Sequence, residues 1–184
     1  MKQVKTVSFP KWANAMLTCI FLYFPLCAFS GKAVGSMGDN KLSFELKPDK
    51  KEYRLGEKIY VDLILKNIGN SPMCINSRMV INHISAPSQY REIELFMEKK
   101  GGNRLDFDCK VNTRRATAKD YKVIQPGESI VRKYDITNCF QINKKGEYSI
   151  KASFQDGTKA IDRLSGVPIF LEKIESKWVS FALE

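Results

Sequence analysis

The chain has 184 residues, of which 43% are apolar, and a formal net charge of +10. This length suits one domain preceded by a leader, and the apolar share is ordinary for a globular protein, which excludes a low-hydrophobicity disordered chain. The first thirty residues contribute Lys2, Lys5 and Lys11 and no acid, so the remainder carries +7. Because its positive residues are scattered and lack interleaved aromatic residues, they indicate a solvated surface rather than a nucleic-acid groove.

Residues 1–30 have the three-part pattern of a secretory signal peptide. Three lysines precede an apolar stretch at 12–29, and the small residues Ala28 and Ser30 come directly before Gly31. Pro25 interrupts the apolar stretch, which is shorter than a membrane-spanning helix needs. We therefore predict a cleaved signal helix and export to the periplasm or the extracellular space. An uncleaved N-terminal membrane anchor is the alternative.

Three cysteines remain after the signal peptide: Cys74, Cys109 and Cys139. Exported proteins meet an oxidising space, so a disulfide is expected, and an odd count leaves one thiol over. We favour the pair Cys109–Cys139 over either pair with Cys74. Three buried thiols remain an alternative, because free cysteine behaves as a small hydrophobic residue.

The stretch 58–67 has the clearest strand pattern in the chain. Four apolar residues alternate with Tyr60, Asp62, Ile64 and Lys66; they are Ile59, Val61, Leu63 and Leu65. Period-two alternation over eight residues predicts a strand with one buried face. That face must be covered by another sheet or a helix.

The remaining chain supplies further strands and almost no helical pattern. The predicted strands lie at 42–46, 58–66, 73–84 (one broken strand or two), 92–98, 104–111, 121–124, 129–136, 147–154 and 178–183. Gly101-Gly102 within 99–103 predicts a hairpin, Pro126-Gly127 predicts a type II turn, and 158–168 is predicted as a loop. After a Gly-rich flexible tether at 31–41, residues 42–184 are thus expected to form an all-β antiparallel sandwich of about 7–9 strands.

The motif Gly146-x-Tyr148-x-Ile150 resembles the tyrosine corner of immunoglobulin-like sandwiches. This resemblance implies that the Tyr148 hydroxyl bonds back across the corner between two strands. Ile150 stands where an antibody domain has its second cysteine, which excludes that intersheet disulfide. The wider turn-and-strand pattern over 42–156 resembles the accessory β-domain in front of deuterolysin-like secreted metallopeptidases, and also a bacterial proteinase-inhibitor family. The His-Glu-x-x-His zinc motif of those peptidases is absent from the sequence.

No convergent set of catalytic residues is evident. His83 is the only histidine, and Asp106 and Asp108 are best explained as a solvated strand face. Cys–His catalysis would require a cysteine beside His83 in the fold, which the sequence leaves open. Gly-x-Ser-x-Gly and phosphate-binding loops are missing. We therefore predict no catalytic residue, no metal and no cofactor, and hence a protein that is not an enzyme.

We predict an exported interaction module that presents loops to a protein or envelope partner, because recognition on rigid scaffolds is carried by loops. The predicted loops are 85–91 and 112–122, and the binding candidates in the second are Arg114, Arg115, Lys119 and Tyr121. No nucleic acid is expected, and the membrane is met only transiently through the signal segment. The alternative is a proteinase inhibitor that inserts Arg114-Arg115 into a protease with an acidic pocket.

Overall fold

The computed structural model describes residues 41–83, 85–109, 111–157 and 163–184. Within these ranges the regular structure is thirteen β-strands and two single-turn 3₁₀ helices, Ser88–Tyr90 and Ala118–Asp120. The strands are β1 Leu42–Pro48, β2 Glu52–Tyr53, β3 Tyr60–Asn67, β4 Met73–Asn76, β5 Ile93–Lys99, β6 Arg104–Leu105, β7 Tyr121–Ile124, β8 Ser129–Asp135, β9 Gly146–Phe154, β10 Arg163–Leu164, β11 Val167–Pro168, β12 Ile174–Glu175 and β13 Val179–Leu183. The all-β prediction is confirmed. The predicted signal peptide 1–30 and the tether 31–41, apart from Lys41, lie outside the described residues.

The strands form two larger sheets and two small ribbons. One sheet is antiparallel in the order β1-β3-β8, and the other runs β2-β13-β9-β5-β6 with β12 also paired to β9. The ribbons are β4-β7 and β10-β11. No helix among the described residues is long and apolar enough to cross a membrane.

Both larger sheets contribute one face to the same hydrophobic core. The alternating residues around β3 are all buried, as the period-two pattern predicted: Ile59, Val61, Leu63 and Leu65. The facing residues of β9 are buried as well: Tyr148, Ile150, Ala152 and Phe154. The Phe44 ring of β1 meets the Phe154 ring edge-on, with centroids 6.3 Å apart. Each large apolar side chain buried in this way stabilises the fold by roughly 1.5–3 kcal/mol.

Two predicted turns occur as expected. Gly101 has a φ of 70° in the hairpin between β5 and β6, where Met97 pairs with Leu105. Gly127 has a φ of 84°, and the Glu128 N–H donates to the Gln125 carbonyl at 3.0 Å. Both backbones lie in the left-handed region that glycine adopts without a Cβ penalty.

The predicted strand 104–111 is wrong beyond its first two residues. Only β6 pairs with β5; farther along, Phe107 forms an isolated bridge with Phe140. The Asp108 N–H donates to the Cys139 carbonyl at 2.9 Å, one residue before the disulfide that begins at Cys109. This second attachment takes the chain away from the edge of β5.

Two further segments differ from their predictions. The stretch 73–84 was predicted as one broken strand or two, and of its described residues only Met73–Asn76 form a strand. Met79 takes a positive φ of 53°, and Ile81 forms an isolated bridge with Ile93. Of the segment 158–168, predicted as a loop, residues 158–162 lie outside the described residues, and within 163–168 β10 and β11 form a hairpin. Ser165 and Gly166 both have positive φ, at 51° and 79°, which is the backbone of a tight primed hairpin turn.

Candidate functional site

The predicted recognition loop 112–122 is braced from within. The two terminal nitrogens of the Arg114 guanidinium donate to the two carboxylate oxygens of Asp120, each at 2.6 Å. The Thr117 N–H donates to Asp120 Oδ2 at 2.7 Å, next to the single helical turn of this loop. The bidentate bond from Arg114 holds the pKa of Asp120 well below its usual range. Arg114 and Asp120 thus fix the shape of the loop.

The four predicted binding residues of this loop have different environments. Arg115 and Lys119 are exposed. The guanidinium of Arg114 is exposed but already occupied by Asp120. Tyr121 is buried, with 4% of its surface exposed. Direct contact with a partner is therefore open to Arg115 and Lys119, whereas Tyr121 supports the loop from beneath.

A neighbouring segment clamps the loop from outside. The N–H and the hydroxyl of Ser77 both donate to the Asp120 carbonyl at 2.8 Å. At the other end of the loop, the Arg78 guanidinium donates to the Arg114 carbonyl. Adjacent residues after β4 therefore hold the backbone of the loop at two points.

Arg78 also reaches the second predicted recognition loop, 85–91. Its guanidinium donates to the Gln89 carbonyl at 3.5 Å and forms an ion pair with Glu92. The Arg78 side chain is 10% exposed and the Glu92 side chain 0%. The two loops predicted separately from the sequence thus meet at one buried guanidinium. We call 85–91 and 112–122 together the two-loop surface.

The loop 85–91 has an ion pair of its own. The guanidinium of Arg91 donates to Glu94 Oε1 at 2.9 Å and 2.7 Å and also to the Ala86 carbonyl. Within the same loop, Ser88 packs so closely on Gly157 that a Cβ there would lie 2.6 Å from Cβ of Ser88. The segment 86–91 is therefore held at its ends by the bonds of Arg91 and in its middle by the packing of Ser88 on Gly157.

Beneath the two-loop surface lies a buried polar cluster of five side chains: Asn76, Arg78, Glu92, Tyr121 and Asp156. The Asn76 amide donates to Glu92 Oε1 at 3.1 Å and to Asp156 Oδ1 at 3.5 Å. The Tyr121 hydroxyl donates to Asp156 Oδ2 at 2.5 Å, and the Val80 N–H donates to Glu92 Oε2 at 2.9 Å. Burial raises the pKa of Glu92, although the Arg78 guanidinium favours its charged form.

This cluster was not predicted from the sequence, because no local sequence pattern indicates it. Alternation along β5 places Glu92 and Glu94 on the same side, and the apolar Ile93 and Leu95 mark the other side as the buried one. Glu94 is partly exposed, yet Glu92 is buried because the segment 76–80 folds over it. An acid flanking an apolar strand is too common a feature to reveal such a contact.

The structure joins Cys109 to Cys139, the pairing that the sequence favoured. Their Cα atoms lie 4.6 Å apart, and the bond links the segment after β6 to the segment after β8. Cys74 is a buried thiol, and burial raises its pKa to about 11, assisted by the charge of Asp156. A thiol with so high a pKa is a poor nucleophile at neutral pH.

Tyr148 closes the turn that leads into β9. Its ring is buried and stacks on Phe181, with centroids 5.9 Å apart. Its hydroxyl donates to the Lys144 carbonyl, four residues upstream, at 2.5 Å. This is the back-bonded geometry that the motif implies.

His83 lines a cavity of about 320 Å³ beside β5 and β6. Its Nδ1 accepts a hydrogen bond from the Ser85 N–H at 3.1 Å and lies 2.6 Å from the Ser85 hydroxyl. A neutral His83 ring therefore carries its proton on Nε2. Asp106 lines the same cavity, and Arg104 stacks over the Phe96 ring at 4.2 Å. In the described part of the chain, no three His, Cys, Asp or Glu side chains come together as a metal-binding group.

No protein-family model matches this chain, and no curated protein matches it. Among solved structures, it is similar to the β-glucosidase EmGH1 from Erythrobacter marinus at 11% identity and a TM-score of 0.35, over 79% of this chain and 16% of that one. It is similar at 12% identity and the same TM-score to AvmM, which catalyses macrocyclization in alchivemycin A biosynthesis, over 79% of this chain and 89% of that one. Likenesses this weak carry no argument about fold or function.

Proposed function

We propose that the chain is an exported, non-catalytic interaction module on an immunoglobulin-like β-sandwich, acting in the periplasm or outside the cell. Two sheets that share one core support the sandwich, and the Tyr148 corner supports its type. The disulfide supports an oxidising compartment. The partner is a protein or envelope component with acidic groups, which Arg115 and Lys119 would meet.

The observation that carries this proposal is the contact of Arg78 with both loops. Binding costs conformational entropy for every loop residue that must be ordered. Arg78 and Ser77 hold the loop 112–122 at both ends, and the Arg114–Asp120 pair holds its shape. The two-loop surface is thus ordered before a partner binds, and its exposed cations are presented from a backbone of fixed shape.

The test compares two pairs of basic residues. The double variant Arg115→Ala, Lys119→Ala removes two exposed cations of the loop, whereas Lys144→Ala, Lys145→Ala removes an exposed pair at a distant turn. Each protein is used for quantitative affinity purification from the exported fraction of the producing cells. We expect an acidic protein to be retained by the wild type and by the distant variant, and lost with the loop variant. Equal retention by all three removes the loop from the proposal.

The second candidate is a proteinase inhibitor, which the exposed Arg115 in a braced loop favours. Two contacts disfavour binding of Arg115 in a protease cleft in the manner of a substrate. The Arg115 carbonyl accepts a hydrogen bond from the Arg114 guanidinium at 2.9 Å, and Ala116 is buried against the protein. Inhibition assays against a panel of serine, cysteine and metalloproteases decide between the two candidates. If the protein inhibits none of them at micromolar concentration, it is not a proteinase inhibitor.

A further inference from the structure

Strand β8 is one edge of its sheet, and hydrogen bonds at both of its ends show which backbone groups point outward. The Asn67 N–H donates to the Glu128 carbonyl at 3.0 Å, and the Ile136 N–H donates to the Ile59 carbonyl at 2.9 Å. In an antiparallel pair such bonds alternate along the strand, so the even-numbered residues of β8 face β3. The N–H and C=O groups of Ser129, Val131 and Lys133 therefore point away from the sheet.

These outward groups have no backbone partner in the part of the chain that the structure describes, where β8 pairs with β3 alone. The opposite edge, β1, is less open. Its outward-pointing positions end at Pro48, which has no N–H, and residues 42–47 line a cleft shared with Ile174 of the other sheet. A row of unpaired strand groups as long as β8 is a template for another strand.

We propose that β8 binds an extended acidic segment of the partner protein as an added strand. This inference rests on the proposed function and deepens it by naming how the partner is held. The added strand would bond to the main chain of Ser129, Val131 and Lys133, while its carboxylates meet nearby cations.

The edge of β8 is physically continuous with the two-loop surface. The Arg132 guanidinium donates to the Ser77 carbonyl at 3.2 Å, and the Tyr134 hydroxyl donates to the Met79 carbonyl at 2.6 Å. Ser77 also clamps the loop 112–122, together with Arg78, which lies between Ser77 and Met79 in the chain. One segment therefore supports both β8 and that loop.

Charge favours an acidic partner over a second copy of the chain. Arg132 and Lys133 are exposed on β8, and the Lys133 ammonium lies 3.8 Å from its nearest carboxylate, on Asp49. Self-pairing in the register that uses the whole strand would place Arg132 opposite its own copy, and like charges in that position destabilise a strand pair. Two copies would also bring together two chains that each carry a net charge of +7 after the leader is removed.

The test uses two labelled peptides of equal charge and length. One repeats Val-Glu four times and can extend a sheet, and the other repeats Pro-Glu four times and cannot. Binding to the exported chain is measured by fluorescence anisotropy for the wild type, Val131→Pro, Val131→Thr and the double variant Arg115→Ala, Lys119→Ala. A proline at position 131 removes only an N–H that faces outward, and threonine keeps it. Circular-dichroism melting checks the fold of each variant.

We expect the Val-Glu peptide to bind the wild type and Val131→Thr, and to bind Val131→Pro about tenfold more weakly, since the main-chain hydrogen bond from the Val131 N–H is lost. On the wild type we expect the Pro-Glu peptide to bind weakly, a comparison that needs no variant to fold. If both peptides bind the wild type equally and neither binds the loop variant, the proposal that β8 binds an added strand is wrong, and the two-loop surface is the binding site. Failure of both peptides, with unchanged affinity purification by the loop variant, overturns both proposals.

Hydrogen exchange at the Val131 and Lys133 amides of the free protein shows whether the β8 edge is instead covered by a second copy or by another segment of the same chain. We expect fast exchange that slows when the Val-Glu peptide is added. Protection that rises with protein concentration assigns the edge to a second copy and overturns the proposal. Protection at every concentration assigns it to another segment of the same chain and also overturns the proposal.

Discussion

The Tyr121 hydroxyl lies 2.5 Å from Oδ2 of Asp156, thirty-five residues farther along the chain. The contact joins β7 to the end of β9 beneath the loop 112–122. Tyr121 also packs on Cys74 and Ala116, which form a small hydrophobic cluster beside the main core. A polar bond and an apolar contact thus position Tyr121, near the end of the clamped loop.

Replacing Tyr121 by phenylalanine should destabilise the protein by about 1–3 kcal/mol, because a buried carboxylate loses a donor while the ring remains. The free energy of unfolding from chemical denaturation measures this change. Tyr90→Phe is the matched control, since Tyr90 is half-buried in the other loop and its hydroxyl has no hydrogen bond in the described structure. Equal stability of the two variants would contradict the importance of the bond to Asp156.

The raised pKa of Glu92 predicts a pH-dependent stability difference from the variant Glu92→Gln. A carboxyl group whose pKa is higher in the folded state binds its proton more tightly there. Its contribution to stability is fully present below the unfolded pKa of about 4.3 and is lost as the pH rises through the folded pKa. Glutamine does not titrate. The wild type should therefore lose stability relative to Glu92→Gln as the pH rises above about 4.3, with no further change beyond the folded pKa.

Denaturant midpoints of both proteins between acid and neutral pH check this prediction. Other titrating groups, such as Asp120, are present in both proteins, so their effects cancel in the difference. A difference that grows in favour of the wild type with rising pH would show that Arg78 outweighs burial at Glu92.

The brace between Arg114 and Asp120 predicts resistance to trypsin, which cleaves after arginine and lysine. The exposed loop offers Arg114, Arg115, Lys119 and Lys122, but cleavage requires the backbone to open. Asp120→Asn removes the negative charge and replaces one of the two oxygens that accept from Arg114 with an NH₂ group, so the bidentate bond is lost and we expect cleavage within 112–122 to become several-fold faster. Mass spectrometry of timed digests identifies the sites. Asp106→Asn serves as the control, and equal cleavage in both variants would rule out the brace.

The disulfide prediction follows from the sequence separation of 30 between Cys109 and Cys139. Cross-linking a loop of this length restricts the unfolded chain and is expected to stabilise the fold by about 3–4 kcal/mol. The double variant Cys109→Ser, Cys139→Ser should lose this stability in a denaturant titration. Reductant should lower the stability of the wild type and leave the double variant unchanged. A wild type insensitive to reductant would count against a stabilising bond.

Local patterns in the sequence determined the β class, the buried face around β3, and the turns at Gly101 and Gly127. Strand alternation and glycine backbone freedom depend on neighbouring residues, so these features can be read along the chain. The pairing Cys109–Cys139 and the corner at Tyr148 could also be predicted from the sequence. Export through residues 1–30 and the identity of the partner stay predictions.

The tertiary structure alone decided which residues form the two-loop surface. Arg114 is occupied by Asp120, Tyr121 is buried on Asp156, and Arg78 joins two loops that are separate in sequence. Likewise, Glu92 is buried although strand alternation places it beside solvent. Each of these outcomes depends on a contact between residues that are not neighbours in the sequence, and the energy of such a contact is set by burial and geometry that no local pattern records.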